Sequence, residues 1–203
     1  MAGNTIMKGK NPLWISALIY TSVALLTVLS AWHTGLYRYD LSLTISIYVA
    51  LRPWTAIVYL VCVAAMVALI FFHVRQSGMP KYRKVFYSVI FLCVSGCAVF
   101  PCNGGWSPFV ADMHNVFAYA LMLAVTASLV LLIFKGRTKA QKLFGISASL
   151  YAFIFIVAYA IVRWEVYRNT VFIWENLFIY ILLVELWLEG ESNGSEGSQI
   201  FDR

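Results

Sequence analysis

Charged residues are scarce in this chain of 203 residues. Asp, Glu, Lys and Arg make up 12% of it and hydrophobic residues 62%, whereas a soluble domain has about 25% charged and about 45–50% apolar residues. So few polar side chains cannot cover a water-soluble globule. The composition therefore excludes a soluble enzyme, a disordered protein and a nucleic-acid-binding module. It predicts an integral membrane protein whose main partner is the lipid bilayer.

The chain also lacks the short motifs that mark common catalytic and cofactor sites. It has no glycine-rich phosphate loop, no serine-centred nucleophile elbow, no His-Glu-x-x-His and no Cys-x-x-Cys. Three of its 4 cysteines lie within apolar runs, where we expect them to pack as small core residues. We therefore expect no metal and no other cofactor.

What the chain does contain is six long apolar runs separated by short polar segments. A membrane-crossing helix needs about 20 mostly apolar residues. The runs predict spans at Leu13–His33, Pro53–Val74, Val85–Pro101, Met113–Phe134, Leu143–Arg163 and Thr170–Leu188. None alternates apolar and polar residues as barrel strands do. We expect an all-α fold, a six-transmembrane-helix bundle over 1–188, followed by a disordered cytoplasmic tail over 189–203, which is rich in Gly, Ser and Glu.

The distribution of basic residues predicts the orientation of the bundle. With both termini cytoplasmic, 11 of the 15 lysines and arginines lie in the inner segments and the other 4 in the outer ones. Cytoplasmic loops of membrane proteins carry such an excess of positive charge. We therefore expect both termini in the cytoplasm, and a multi-pass location in the cell membrane, that is, the inner or plasma membrane.

One outer segment, Leu41–Arg52, is too apolar for a free loop. Leu, Ile and Val alternate there with Ser, Thr and Tyr. Three placements are open: the segment lies in the membrane interface, dips back into the bundle, or extends the second span outward.

Polar residues from every outer hairpin form the candidate site. Seven of them are expected to line an outward-facing pocket: His33, Arg38, Arg52, Asp112, His114, Arg163 and Glu175. Glu175 is the most informative, because an ionisable group about 8 Å inside a span is costly unless it is paired or hydrated. Its expected partners are Arg163, His33 or His114. Asp112 has an alternative role as a helix N-cap, and Glu185 is expected to reach the cytoplasmic interface.

Several short motifs resemble a family. Gly96, Val99-Phe100-Pro101 and His114, with Thr44-Ile45-Ser46, Trp54 and Trp174-Glu175-Asn176, resemble the six-span FRAG/DRAM/Sfk superfamily over about residues 13–188. Cys102 stands after the proline where an acidic residue is expected, so carboxylate chemistry at that position is not implied. The resemblance implies a role connected with lipids, and no particular reaction.

These observations favour binding or handling of a lipid headgroup or other small amphiphile, with the arginines holding an anionic group. One alternative is the substrate-binding subunit of a vitamin-type uptake transporter, with tryptophans stacking on the solute. Another is a membrane hydrolase that uses His33, Asp112 and His114. A fourth is a structural scaffold whose charged loops only set the topology.

Overall fold

The chain is all-helical. A computed structural model describes residues 12–33, 43–101, 107–162, 165 and 169–199, and no strand occurs among them. The α-helices are α1 (Pro12–His33), α2 (Ile45–Ala50), α3 (Pro53–Gln76), α4 (Lys81–Val99), α5 (Pro108–Lys135), α6 (Lys139–Ile156) and α7 (Val171–Gln199). A π-helical turn at Val157–Ile161 continues α6. The predicted all-α class is confirmed.

Five helical segments in the described part of the chain are long and apolar enough to cross a membrane. They are Leu13–Ala31, Pro53–Gln76, Lys81–Val99, Pro108–Lys135 and Val171–Glu189. Helix α6, at the position of the predicted fifth span, is not among them. Its first turn contains Lys139, Gln141 and Lys142, and these polar residues reduce the apolar content of an 18-residue helix.

Two helix boundaries differ from the sequence prediction. Helix α5 begins at Pro108 rather than at Met113, because proline is well suited to the first helical turn, where no backbone N–H partner is needed. Asp112 consequently lies inside α5 and is not its N-cap, so that expectation was wrong. Helix α7 continues to Gln199, beyond the predicted end of the span at Leu188.

The long helices pack side by side in a ring. Helix α1 contacts α3, then α4, α5 and α6 follow in order, and α7 packs against both α6 and α1. Residues such as Val23, Ile90 and Leu129 are buried in this bundle, whereas Val61 and Leu123 are exposed on it. An apolar exterior of this kind suits a lipid environment, in which hydrocarbon tails are as apolar as leucine.

The short helix α2 lies inside the bundle, between α1 and α3. Five of its six residues are buried. Ser30 of α1 donates a hydrogen bond to the carbonyl oxygen of Tyr48 at 2.6 Å, and Thr55 of α3 donates one to that of Val49 at 2.6 Å. Of the three placements open for the segment from Leu41 to Arg52, the described part therefore matches the one that dips back among the helices.

Candidate functional site

The helices line a cavity of about 230 Å³. One ordered water needs about 10–15 Å³ of such space, so the cavity can hold a small molecule. Each of the seven α-helices contributes to its wall, from Tyr20 of α1 to Ile179 of α7. We call it the central cavity. Its polar lining includes Thr44, His114, Asn115 and Glu175, and most of the remaining wall is apolar or aromatic.

Glu175 contributes a carboxylate to the central cavity. The backbone N–H of Ile45, the first residue of α2, donates a hydrogen bond to Glu175 Oε2 at 2.8 Å. A negative charge at the start of a helix is favourable, because the first backbone N–H groups have no partner within the helix. Within the described residues this is the one hydrogen bond of Glu175. The expected partner His114 shares the cavity but does not pair with it.

His114 is held by hydrogen bonds on both ring nitrogens. Nδ1 donates to the carbonyl oxygen of Phe100 at 2.7 Å, because a carbonyl oxygen can only accept. Nε2 lies 3.1 Å from the Ser46 hydroxyl, which is itself 2.9 Å from the Thr44 hydroxyl. Thr44 also accepts from the backbone N–H of Ile47 at 3.3 Å. This network holds the imidazole against α2.

The structure brings together two of the seven predicted site residues, His114 and Glu175. Arg52 and Asp112 are both exposed, and neither lines the central cavity. The backbone of His33 ends α1, but its side chain lies outside the described part of the chain, as do Arg38 and Arg163. Because Asp112 and His114 do not share the cavity, the cluster expected for a hydrolase is not assembled by its two described members.

Two tyrosines of the cavity were missed by sequence reasoning. Tyr20 of α1 is only 5% exposed, and its hydroxyl has no hydrogen-bond partner among the described residues. Tyr59 of α3 lines the same space. Glu175 lines this space together with both tyrosines. The sequence offered little signal for them, since tyrosines in apolar helices are common and only the packing shows which ones face inward.

A second group of polar residues, the ionic cluster, lies at the other end of the bundle. Arg83 of α4 donates hydrogen bonds to both Glu185 and Glu189 of α7, the first at 3.1 Å. Ser128 of α5 donates to Glu185 at 2.7 Å and accepts from Arg83 at 2.9 Å. Tyr87 donates to Glu189 at 3.3 Å. The cluster therefore connects three helices through buried charge-assisted hydrogen bonds.

The ionic cluster corrects one expectation and shows a missed signal. Glu185 is 0% exposed and does not reach the interface. Arg83 and Ser128 bind its Oε1 within the bundle, whereas its Oε2 has no hydrogen-bond partner among the described residues. In the sequence, Arg83 was counted only as one of the 11 basic residues of the inner segments, which predict the orientation. The spacing of Glu185 and Glu189, one helical turn apart on the same face, is the signal that would have indicated a buried cation nearby.

No group of three or more His, Cys, Asp or Glu side chains that could hold a metal ion occurs within the described ranges. The arrangement in the cavity is instead one carboxylate, a fixed imidazole and free space. That geometry suits binding of a small molecule with a polar group at Glu175.

No similarity to another protein indicates a function for this cavity. The superfamily resemblance stays a prediction from the sequence motifs. Comparison of the chain with models of protein families, with curated proteins and with solved structures finds no match.

Proposed function

We propose that this chain is a six-span protein of the cell membrane that binds a lipid headgroup or another small amphiphile in its central cavity. The spans are α1 and α3 to α7, and both termini face the cytoplasm. The basic residues Arg75, Lys81, Lys84 and Lys135 at the helix ends remote from Glu175 support this orientation. The central cavity then lies in the outer half of the bundle.

The observation that carries the proposal is the composition of the cavity wall. Glu175, His114 and Thr44 supply polar groups, while Val63 and Met66, deeper along α3, supply apolar surface. Ligand sites combine a mostly apolar wall with a few fixed polar groups that orient the ligand. A molecule with a small polar group and an apolar body matches both parts.

Copurified ligand tests this function. The protein is purified in mild detergent and analysed by native mass spectrometry with organic extraction. Ala118 of α5 lines the cavity, so Ala118→Trp fills it, and Ala64 on the exposed side of α3 gives the matched variant Ala64→Trp. We expect a bound amphiphile on the wild type and on Ala64→Trp, and none on Ala118→Trp.

Equal retention of the same species by all three proteins would contradict the proposal, because the ligand would then lie outside the cavity. Circular dichroism and size-exclusion chromatography confirm that Ala118→Trp is folded before the result is interpreted.

A further inference from the structure

The charged residues of the cavity wall indicate a more specific class of ligand. Among the described residues, Glu175 is the one acidic side chain that lines the cavity, and no lysine or arginine lines it. His114 does not offer a free donor, since both of its nitrogens are already in hydrogen bonds. The described wall therefore has one acidic group and no lysine or arginine beside it.

An unpaired carboxylate inside a membrane bundle is unfavourable, because the surroundings solvate charge poorly. One backbone N–H, that of Ile45, donates to Glu175 at 2.8 Å, whereas a carboxylate has about four acceptor sites. A cationic ligand with N–H donors would supply the missing partners. An anionic ligand at the same place would add repulsion.

A second, independent observation is the unsatisfied hydroxyl of Tyr20. It is buried, lines the cavity and has no hydrogen-bond partner in the described part of the chain. A buried hydroxyl of this kind needs a partner, which a ligand or an ordered water in the cavity can provide. The wall thus carries two polar groups that the described protein leaves open.

Aromatic rings make up much of the remaining wall. Tyr20, Tyr59, Tyr119, Phe155 and Phe178 all line the cavity. The faces of aromatic rings attract cations, and cages of such rings recognise organic ammonium groups. Apolar bodies also pack well against the same rings.

We propose that the central cavity binds an organic amine with an apolar body, its ammonium group paired with Glu175 and enclosed by Tyr20 and Tyr59. This rests on the proposed function, because it takes the cavity to be a ligand site. It changes the expected ligand from an anionic headgroup held by arginines to a cation held by a carboxylate.

Three matched compounds test the charge preference. The protein is reconstituted in phosphatidylcholine nanodiscs, and binding of radiolabelled 2-phenylethylamine, 2-phenylethanol and 3-phenylpropionate is measured by equilibrium dialysis against empty nanodiscs. We expect the amine to bind about tenfold or more tightly than the alcohol, since charge-assisted hydrogen bonds are worth that factor. We expect the carboxylate to bind most weakly.

Variants test whether the preference for the amine depends on Glu175. Glu175→Gln should lower amine affinity to that of the alcohol, and Glu175→Asp should keep a preference for the amine. Glu165, an exposed carboxylate outside the cavity, gives the control Glu165→Gln, which should behave as the wild type. The ratio of the affinities of the wild-type protein for the amine and the alcohol tests the proposal even if a Glu175 variant fails to fold.

Equal affinity for amine and alcohol, or no specific binding of any compound, would overturn the inferred ligand class. A preference for 3-phenylpropionate would also overturn it, and would favour an anion held by Arg38 or Arg163. In each case the copurification experiment with Ala118→Trp still decides separately whether the cavity is a ligand site.

Discussion

Two regions of α7 place glutamate in opposite surroundings. In the ionic cluster, Glu185 and Glu189 meet Arg83 and Ser128, and the adjoining space measures about 40 Å³. Glu175 instead has one hydrogen bond among the described residues and faces about 230 Å³. Where the protein supplies the partners, a buried carboxylate connects helices. Where it leaves space, the carboxylate is available to a ligand.

Removing the cation of the ionic cluster is expected to have the largest effect. Arg83→Met leaves Glu185 and Glu189 buried without their shared partner, which costs about 3–5 kcal/mol in known cases. We expect the free energy of unfolding, measured by SDS titration in mixed micelles, to fall by that amount. Arg75→Met is the matched control, because Arg75 is exposed at the same end of the bundle, and it should change stability by about 0.5 kcal/mol or less.

Equal stability of Arg83→Met and Arg75→Met would contradict the contrast between the ionic cluster and the surroundings of Glu175, since the ionic cluster would then not hold the helices together.

Neutralising one carboxylate of the ionic cluster should have an intermediate effect. Glu185→Gln keeps the shape of the side chain but weakens its hydrogen bonds with Arg83 and Ser128, which are 3.1 Å and 2.7 Å long. Hydrogen bonds to charged groups are worth about 1.5–3 kcal/mol, and we expect a loss within that range in the same titration. A variant as stable as the wild type would show that Glu185 is not part of the connection.

The network around His114 should contribute less than the ionic cluster. Ser46→Ala removes the hydroxyl that lies 3.1 Å from His114 Nε2, a neutral interaction worth about 1 kcal/mol. Ser147→Ala, at an exposed serine of α6, is the control. We expect Ser46→Ala alone to lower the unfolding free energy, and a loss as large as that of Arg83→Met would contradict the contrast between the two regions.

The smallest effect on stability is expected for Glu175→Gln. The amide oxygen of glutamine can still accept from Ile45, and the buried negative charge is gone. The hydrogen bond from Ile45 to a neutral acceptor is weaker, and this loss opposes the gain from removing a buried charge, so we expect a stability within about 0.5 kcal/mol of the wild type. Glu185→Gln makes the same chemical change on the same helix. The two losses of unfolding free energy therefore show directly how differently the protein pairs the two carboxylates. Equal losses would mean that Glu175 is as fully paired as Glu185.

The helices were predictable because a chain in lipid must satisfy its own backbone hydrogen bonds, so long apolar runs have few alternatives. The short helix α2 was not, since its six residues, although apolar, are too few for a span. Its position depends on Ser30, Thr55 and Glu175, which are distant in sequence.

The candidate site was predictable where a polar or ionisable residue lies at the start of an apolar run or within it, as His114 and Glu175 do. Glu175 was identified in this way, and the structure places it in the cavity. Its partner is the backbone N–H of Ile45. Because every residue except proline has a backbone N–H, the sequence does not show which one donates to Glu175. Arg83 was misread for a related reason: residues beside a basic loop carry the same signal whether they point outward or, like Arg83 at 3% exposure, inward.

The hydrogen bond between Ile45 and Glu175 Oε2 has a consequence for the choice of amino acid at position 175. A carboxylate has two equivalent acceptor oxygens, whereas the amide of glutamine has one acceptor and one donor. Glutamate can secure α2 with one oxygen while the other stays available to a guest, so occupancy need not loosen the backbone. Glutamine would turn an N–H₂ group towards the guest and repel its donors. Anchoring and recognition are thus divided between two atoms of a single side chain.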